Sequence, residues 1–115
     1  MITAETLKKL IEFRKVRDWE QFHTFKNLAI SISLEAAELL EHVQWIPDDK
    51  VLGVVTQNLD EVSAEMADIV IYLTYMAHDL GVDMDQAVQK KLLANETKYP
   101  VEKSKGSSVK YDQLF

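Results

Sequence analysis

The sequence SLEAAEL, residues 33–39, places two glutamates three positions apart, Glu35 and Glu38, inside an apolar run. A second pair with the same spacing, Glu65 and Asp68, lies in another apolar run. Residues three apart share one face of an α-helix, so each pair predicts an acidic stripe on an otherwise apolar helix. Because a helix that is apolar on nearly all sides must be buried, we expect both stripes to be carried into or beside the core.

Four acids brought together without a cation repel one another, and each is costly to remove from water. A divalent cation between the two helices resolves this conflict, and carboxylates suit Mg²⁺, with Mn²⁺ as a substitute. Surface acids lining a gap between helices are the simpler alternative. A di-iron site is disfavoured, because such sites use Glu with His three residues later, and the one such pair, Glu20 and His23, lies outside these helices. His42, four residues after Glu38, either supports a ligand or, as the sequence favours, is a surface histidine at a helix end.

The composition of the 115 residues predicts one all-α domain, since helix formers abound and there are only three Gly and two Pro. We expect four long helices, at about 4–17, 25–45, 60–80 and 84–98, and room for a short helix between 50 and 58. Their predicted N-caps are Thr3, Thr24, Asp60 and Asp83, and Gly81 and Pro100 are predicted to end the last two. Residues 1–102 are taken as the helical domain and residues 103–115 as a flexible basic tail.

The net charge of −6 argues against binding to nucleic acid polymers. The absence of Cys fits a reducing compartment, and no apolar run reaches membrane-spanning length, so we expect a cytoplasmic protein without membrane contact. The two central helices carry more apolar perimeter than one chain of this size can cover. This excess predicts a homodimer or a higher symmetric oligomer.

A Mg²⁺ site is typical of proteins that bind phosphates. Such a site also needs cations or amide donors opposite the metal. Four side chains near the end of the fourth helix have suitable spacing: Lys91, Asn95, Lys98 and Tyr99. Cations at a helix C-terminus are also favoured by the helix dipole, so a structural role is the alternative. Trp19 and Trp45 are candidates for walls around a nucleotide base, and packing in a core or interface is the alternative for both.

Together these residues resemble the MazG-like superfamily of all-α nucleoside triphosphate pyrophosphohydrolases, in the branch that includes the dCTP pyrophosphatases. The resemblance spans most of the chain and rests on the two acidic pairs together with four further motifs: Asp18–His23, Asp68–Leu73, Asn95–Pro100 and Lys110–Tyr111. It implies a four-helix-bundle protomer that assembles as a dimer or tetramer, with sites between protomers. It also implies Mg²⁺-dependent hydrolysis of a (deoxy)nucleoside triphosphate, dCTP-like first, to the monophosphate and pyrophosphate.

The resemblance further implies roles for individual residues. The metal ligands would be Glu35, Glu38, Glu65 and Asp68, with Glu38 the first choice for activating water beside Glu35. Trp19 and Trp45 would surround the base, and the sugar or phosphates would meet Tyr72, Lys91, Asn95 and Tyr99. Lys98 stands where the related branch often has Arg, so a bidentate phosphate grip is lost there. A helical module that dimerises, or binds nucleotide without cleaving it, is the alternative function.

Overall fold

The structure, a computed structural model, describes residues 1–114 and contains helices and turns but no β-strand within them. The α-helices are α1 (Ala4–Val16), α2 (Phe25–Glu41), α3 (Val51–Gln57), α4 (Leu59–Leu80), α5 (Met84–Lys98) and α6 (Val101–Ser104). Short 3₁₀ helices occur at Glu20–Phe22, Asp48–Lys50 and Tyr111–Gln113. The prediction of an all-α chain is confirmed. The chain divides into two compact units, Met1–Gly81 and a second that begins at Val82.

The first two helices of the first unit begin where their caps predict. The hydroxyl of Thr3 accepts a hydrogen bond from the backbone N–H of Thr6 at 3.1 Å, and that of Thr24 accepts from Asn27 at 3.2 Å. The predicted end of α2 at about residue 45 is wrong, because α2 ends at Glu41. Tight turns from residue 42 to 46 follow, and Pro47 restricts the residue before it to extended backbone.

Helix α4 starts at Leu59, two residues before the start that a cap at Asp60 predicts, with Asn58 as its N-cap residue. The prediction of Asp60 as the cap is therefore wrong, and Asp60 lies in the first turn, where its charge suits the helix dipole. The side chain of Asn58 instead donates to the carbonyl oxygen of Val54 at 2.9 Å. Gly81 closes α4 in the left-handed conformation with φ of 67°, as predicted.

Helix α2 packs along α4, and α1 and α3 also contact α4. The buried apolar side chains of the core belong to α2 and α4: Leu28, Val62, Tyr75 and Ala77. Arg14 of α1 is also buried and forms a two-pronged ion pair with Asp79 of α4, at 2.8 and 2.9 Å. The hydroxyl of Tyr75 donates to the carbonyl oxygen of Leu10 at 2.8 Å. Polar bonds therefore fix α1 onto α4 beside the apolar core.

The expectation that α2 and α4 are buried on nearly all sides is not met within one protomer. Leu34 and Leu40 of α2 are 60% and 68% exposed, and Met66 of α4 is 54% exposed. Within the described residues 1–114, α4 is the helix that packs extensively on α2, so side chains on other faces of α2 stay exposed.

In the second unit, α5 begins at the predicted cap, where Asp83 accepts a hydrogen bond from the N–H of Gln86 at 3.1 Å. It ends at Lys98, two residues before Pro100, as predicted. The ring of Tyr111 packs edge-on against Tyr99 with 6.2 Å between centroids. The predicted domain boundary at residue 102 stays a prediction. No helix described between residues 1 and 114 has both the length and the hydropathy needed to cross a membrane.

Candidate functional site

The four predicted acids lie together between α2 and α4. Burial, a hydrogen bond with Glu38 and the charges of Glu38, Asp68 and Glu65 raise the pKa of Glu35 to about 7. The charges of three other carboxylates can act on Glu35 only if each of them lies within electrostatic reach of Glu35. The opposed acidic stripes predicted from the sequence are therefore present in the first unit.

Glu35 is the acid of this cluster whose surroundings disfavour ionisation. Its Oε2 atom is buried and has no hydrogen-bond partner among the described residues 1–114. Interaction with the carboxyl group of Glu38 adds to burial in raising the pKa of Glu35. The cluster therefore holds a proton near neutral pH, in the position where a cation would otherwise supply positive charge.

His42 joins the end of α2 to the acidic stripe of α4. Its Nε2 atom lies 2.6 Å from Oε2 of Glu65, and both side chains are largely buried. The sequence favoured a surface histidine here, but the contact with Glu65 shows that His42 supports one of the four acids. The signal available in the sequence was its spacing of four residues from Glu38, on the same helical face.

The donor set of the cluster fits a hard cation, because it consists of carboxylate oxygens and includes one buried oxygen without a partner. Across residues 1–114, however, no three His, Asp or Glu side chains are placed to hold one ion as they stand. Glu65 is turned towards His42, and Glu35 is bonded to Glu38. Side-chain rotation would be needed for these acids to converge on a metal.

A cavity of about 340 Å³ adjoins the acids, within the size range of small-molecule sites. Its lining includes Phe13, Trp19, His23, Asp68, Tyr72 and Tyr75, from α1, the following loop and α4. Asp68 belongs both to the acidic cluster and to the cavity wall. A molecule in the cavity would therefore be next to the carboxylates.

Of the two predicted base walls, the lining of this cavity includes Trp19 and not Trp45. Trp19 packs edge-on against Phe13 with 5.7 Å between centroids, which fixes its ring at the cavity. Trp45 lies in the turn after α2 and is 85% exposed. Its role at a base stays a prediction.

Tyr72 lines the cavity, and its hydroxyl forms a hydrogen bond with Ser31 of α2. Burial, followed by the charges of Asp68 and Glu35, raises the pKa of Tyr72. Its phenol therefore stays protonated at neutral pH. The remaining predicted residues lie on the second unit, and their roles stay predictions: Lys91, Asn95, Lys98 and Tyr99. Of these, Lys98 holds its Nζ atom 4.8 Å from the ring centre of Tyr111.

Three further residues of the cavity wall, Phe13, His23 and Tyr75, were not among the site residues predicted from the sequence. The guanidinium of Arg14 lies over the ring of Tyr75 at 4.5 Å, and the ring of His23 packs on the same tyrosine at 5.1 Å. Burial, and then the charge of Arg14, lowers the pKa of His23, while Asp79 acts in the opposite direction. The aromatic character of the loop after α1 was the one signal for this wall.

The MazG-like family model matches residues 30–114, and the chain belongs to this family. It is 41% identical to dCTP pyrophosphatase 1 of Bos taurus and 36% identical to that of Homo sapiens, over 97% of this chain and 68% of each relative. A crystal structure of a pyrophosphatase from Archaeoglobus fulgidus has a TM-score of 0.81 and 44% identity, over 84% of this chain and 90% of that chain. The family resemblance inferred from the motifs is confirmed.

Proposed function

We propose that the protein is a metal-dependent nucleoside triphosphate pyrophosphohydrolase that prefers deoxynucleotides with a cytosine base. It releases the monophosphate and pyrophosphate, in a role of cleaning nucleotide pools in the cytoplasm. The observation that carries the proposal is the position of Asp68, which places the acidic cluster directly beside an aromatic cavity. The names of the relatives from cattle and human support the same substrate class.

The proposed metal ligands are Glu35, Glu38, Glu65 and Asp68, and the proposed metal is Mg²⁺, with Mn²⁺ as a substitute. When bound, Mg²⁺ neutralises charge on the phosphate oxygens and on the leaving pyrophosphate. Nε2 of His42 lies 2.6 Å from Oε2 of Glu65, so this contact would have to change for Glu65 to reach the metal.

The chain's own residues supply the remaining steps. Glu38, exposed on α2 beside Glu35, is the proposed acceptor of a proton from the attacking water. Trp19 offers its ring to the base from the cavity wall, and Trp45 is proposed as a second wall. The proposed contacts to sugar and phosphates are made by Tyr72, Lys91, Asn95, Lys98 and Tyr99.

We also infer a homodimer or homotetramer built from four-helix-bundle protomers. The exposed Leu34, Leu40 and Met66 leave apolar surface on both central helices that a second copy would cover. Light scattering coupled to size-exclusion chromatography tests this inference. A monomer at all concentrations would contradict it.

The function is tested by incubating the protein with a panel of deoxynucleoside triphosphates and Mg²⁺ and by measuring pyrophosphate. We expect release that EDTA abolishes and that Glu38→Gln lowers by about 10²–10⁴-fold with the fold intact, because general-base catalysis contributes about that much. Glu12→Gln, an exposed change on α1, is the matched control and should leave the rate unchanged. Absence of release across the panel would favour the non-catalytic nucleotide-binding or dimerisation module.

A further inference from the structure

We propose that His23 determines base specificity by donating a hydrogen bond from its Nε2–H to the ring acceptor N3 of a cytosine stacked on Trp19. This inference rests on the proposed function and deepens it, because it names the group that reads the base. It concerns a residue of the cavity wall, apart from the four acids.

The cavity offers few polar groups that are free to read a base. The hydroxyl of Tyr75 already donates to the carbonyl oxygen of Leu10 at 2.8 Å. The hydroxyl oxygen of Tyr72 interacts with Ser31, and Asp68 belongs to the acidic cluster. Stacking on aromatic rings holds any base, so discrimination between bases needs a directional polar group. His23 is one lining residue that can supply such a group.

Packing fixes the imidazole of His23 between two aromatic rings. Its centroid lies 5.1 Å from that of Tyr75 and 6.3 Å from that of Trp19. Tyr75 is itself held by Leu10 and by the Arg14 guanidinium above its ring. A specificity group must be held in this way, since a mobile side chain would lose rotamer freedom on binding.

The surroundings of the ring also fix its tautomer. Nδ1 of His23 is buried and has no hydrogen-bond partner within residues 1–114. A buried N–H without an acceptor is rarer in proteins than a buried acceptor without a donor, so the proton belongs on Nε2. Burial and the charge of Arg14 lower the pKa of His23, which keeps the ring neutral at pH 7. A neutral ring with this tautomer has one donor, Nε2–H.

A fixed hydrogen-bond donor can distinguish cytosine from thymine and uracil. Position N3 of cytosine carries a lone pair and accepts a hydrogen bond, whereas N3 of thymine and uracil carries a hydrogen. Opposite Nε2–H of His23, cytosine completes a bond, but thymine places two donors face to face. A site built around a hydrogen bond rejects a ligand that leaves its buried polar group unpaired.

The test measures binding rather than turnover, so its outcome does not depend on hydrolysis. Dissociation constants of the α,β-imido analogues of dCTP and dTTP are measured by calorimetry with Mg²⁺, for the wild type and for His23→Phe. We expect the wild type to prefer the dCTP analogue. His23→Phe should weaken that analogue by about tenfold, since one neutral hydrogen bond is lost, and should not weaken the dTTP analogue, since the donor that faces thymine N3–H is removed.

Two further variants keep the result interpretable. His23→Gln retains a side-chain N–H donor and should keep most of the preference, whereas His78→Gln, on an exposed position of α4, should change nothing. Melting curves establish that each variant is folded. An unchanged preference in a folded His23→Phe variant would overturn the proposal. Loss of the preference in His23→Gln, or no binding of the dCTP analogue to the wild type, would overturn it equally.

Discussion

Binding of Mg²⁺ to the acidic cluster should release a proton near neutral pH. The pKa of Glu35 is raised to about 7 by burial, by its hydrogen bond with Glu38 and by the neighbouring carboxylates. A cation can be held by the ionised form only, so the proton must leave as the cation enters. We therefore predict that the affinity for Mg²⁺ falls as the pH is lowered through 7.

The size of the effect follows from the ionised fraction of Glu35. With a pKa of about 7, that fraction is about 0.9 at pH 8, about 0.5 at pH 7 and about 0.1 at pH 6. Apparent affinity scales with the fraction of molecules competent to bind. The dissociation constant for Mg²⁺ should therefore rise by about tenfold between pH 8 and pH 6.

Isothermal titration calorimetry in two buffers of different ionisation enthalpy measures both the affinity and the proton released. At pH 7 the wild type should release about half a proton per site from Glu35. Glu35→Gln should abolish this release and flatten the pH dependence, whereas Glu12→Gln, exposed on α1, should behave as the wild type. A Mg²⁺ affinity that is constant from pH 6 to pH 8 would refute the reasoning.

Two further predictions concern stability. Because the pKa of Glu35 lies above its ordinary value of 4.5, the native state binds the proton more tightly than the unfolded chain does. Metal-free protein should therefore lose stability as the pH rises from about 4.5 to about 7. Urea unfolding at several pH values, with Glu35→Gln as the control, measures this loss. A free energy of unfolding that rises over that range would contradict the prediction. Asp79→Ala should lower the free energy of urea unfolding by about 2–3 kcal/mol, because it leaves the buried Arg14 unpaired. A loss below about 0.5 kcal/mol would contradict this prediction.

The sequence predicted those parts of the fold that depend on local chemistry. Caps at Thr3, Thr24 and Asp83 and the left-handed Gly81 each act through backbone groups a few residues away, so spacing alone locates them. The opposed acidic stripes were also predictable, because periodicity places them and burial requires them to face a partner. The three-residue spacing of Glu65 and Asp68 thus predicted that both acids lie on one helical face at the site.

Features that depend on tertiary contacts were not predictable. His42 was placed on the correct face, yet its partner Glu65 lies 23 positions further along the chain. The cavity wall at His23 is formed by residues of α1, the following loop and α4. These segments are distant in sequence, so local sequence patterns do not predict that they pack together.

The most informative residue is Glu35, because burial and neighbouring carboxylates disfavour its ionised form in the metal-free fold. Glu35 keeps a buried oxygen without a partner within residues 1–114 and binds a proton near neutral pH, although glutamine would fit the same space without charge. A residue that lowers the stability of the metal-free fold is expected where function requires it. If so, Glu35→Gln should stabilise the metal-free protein at pH 7 and also remove the additional stability that Mg²⁺ gives the wild type. These opposite effects distinguish a metal site from surface acids, for which neither effect would arise.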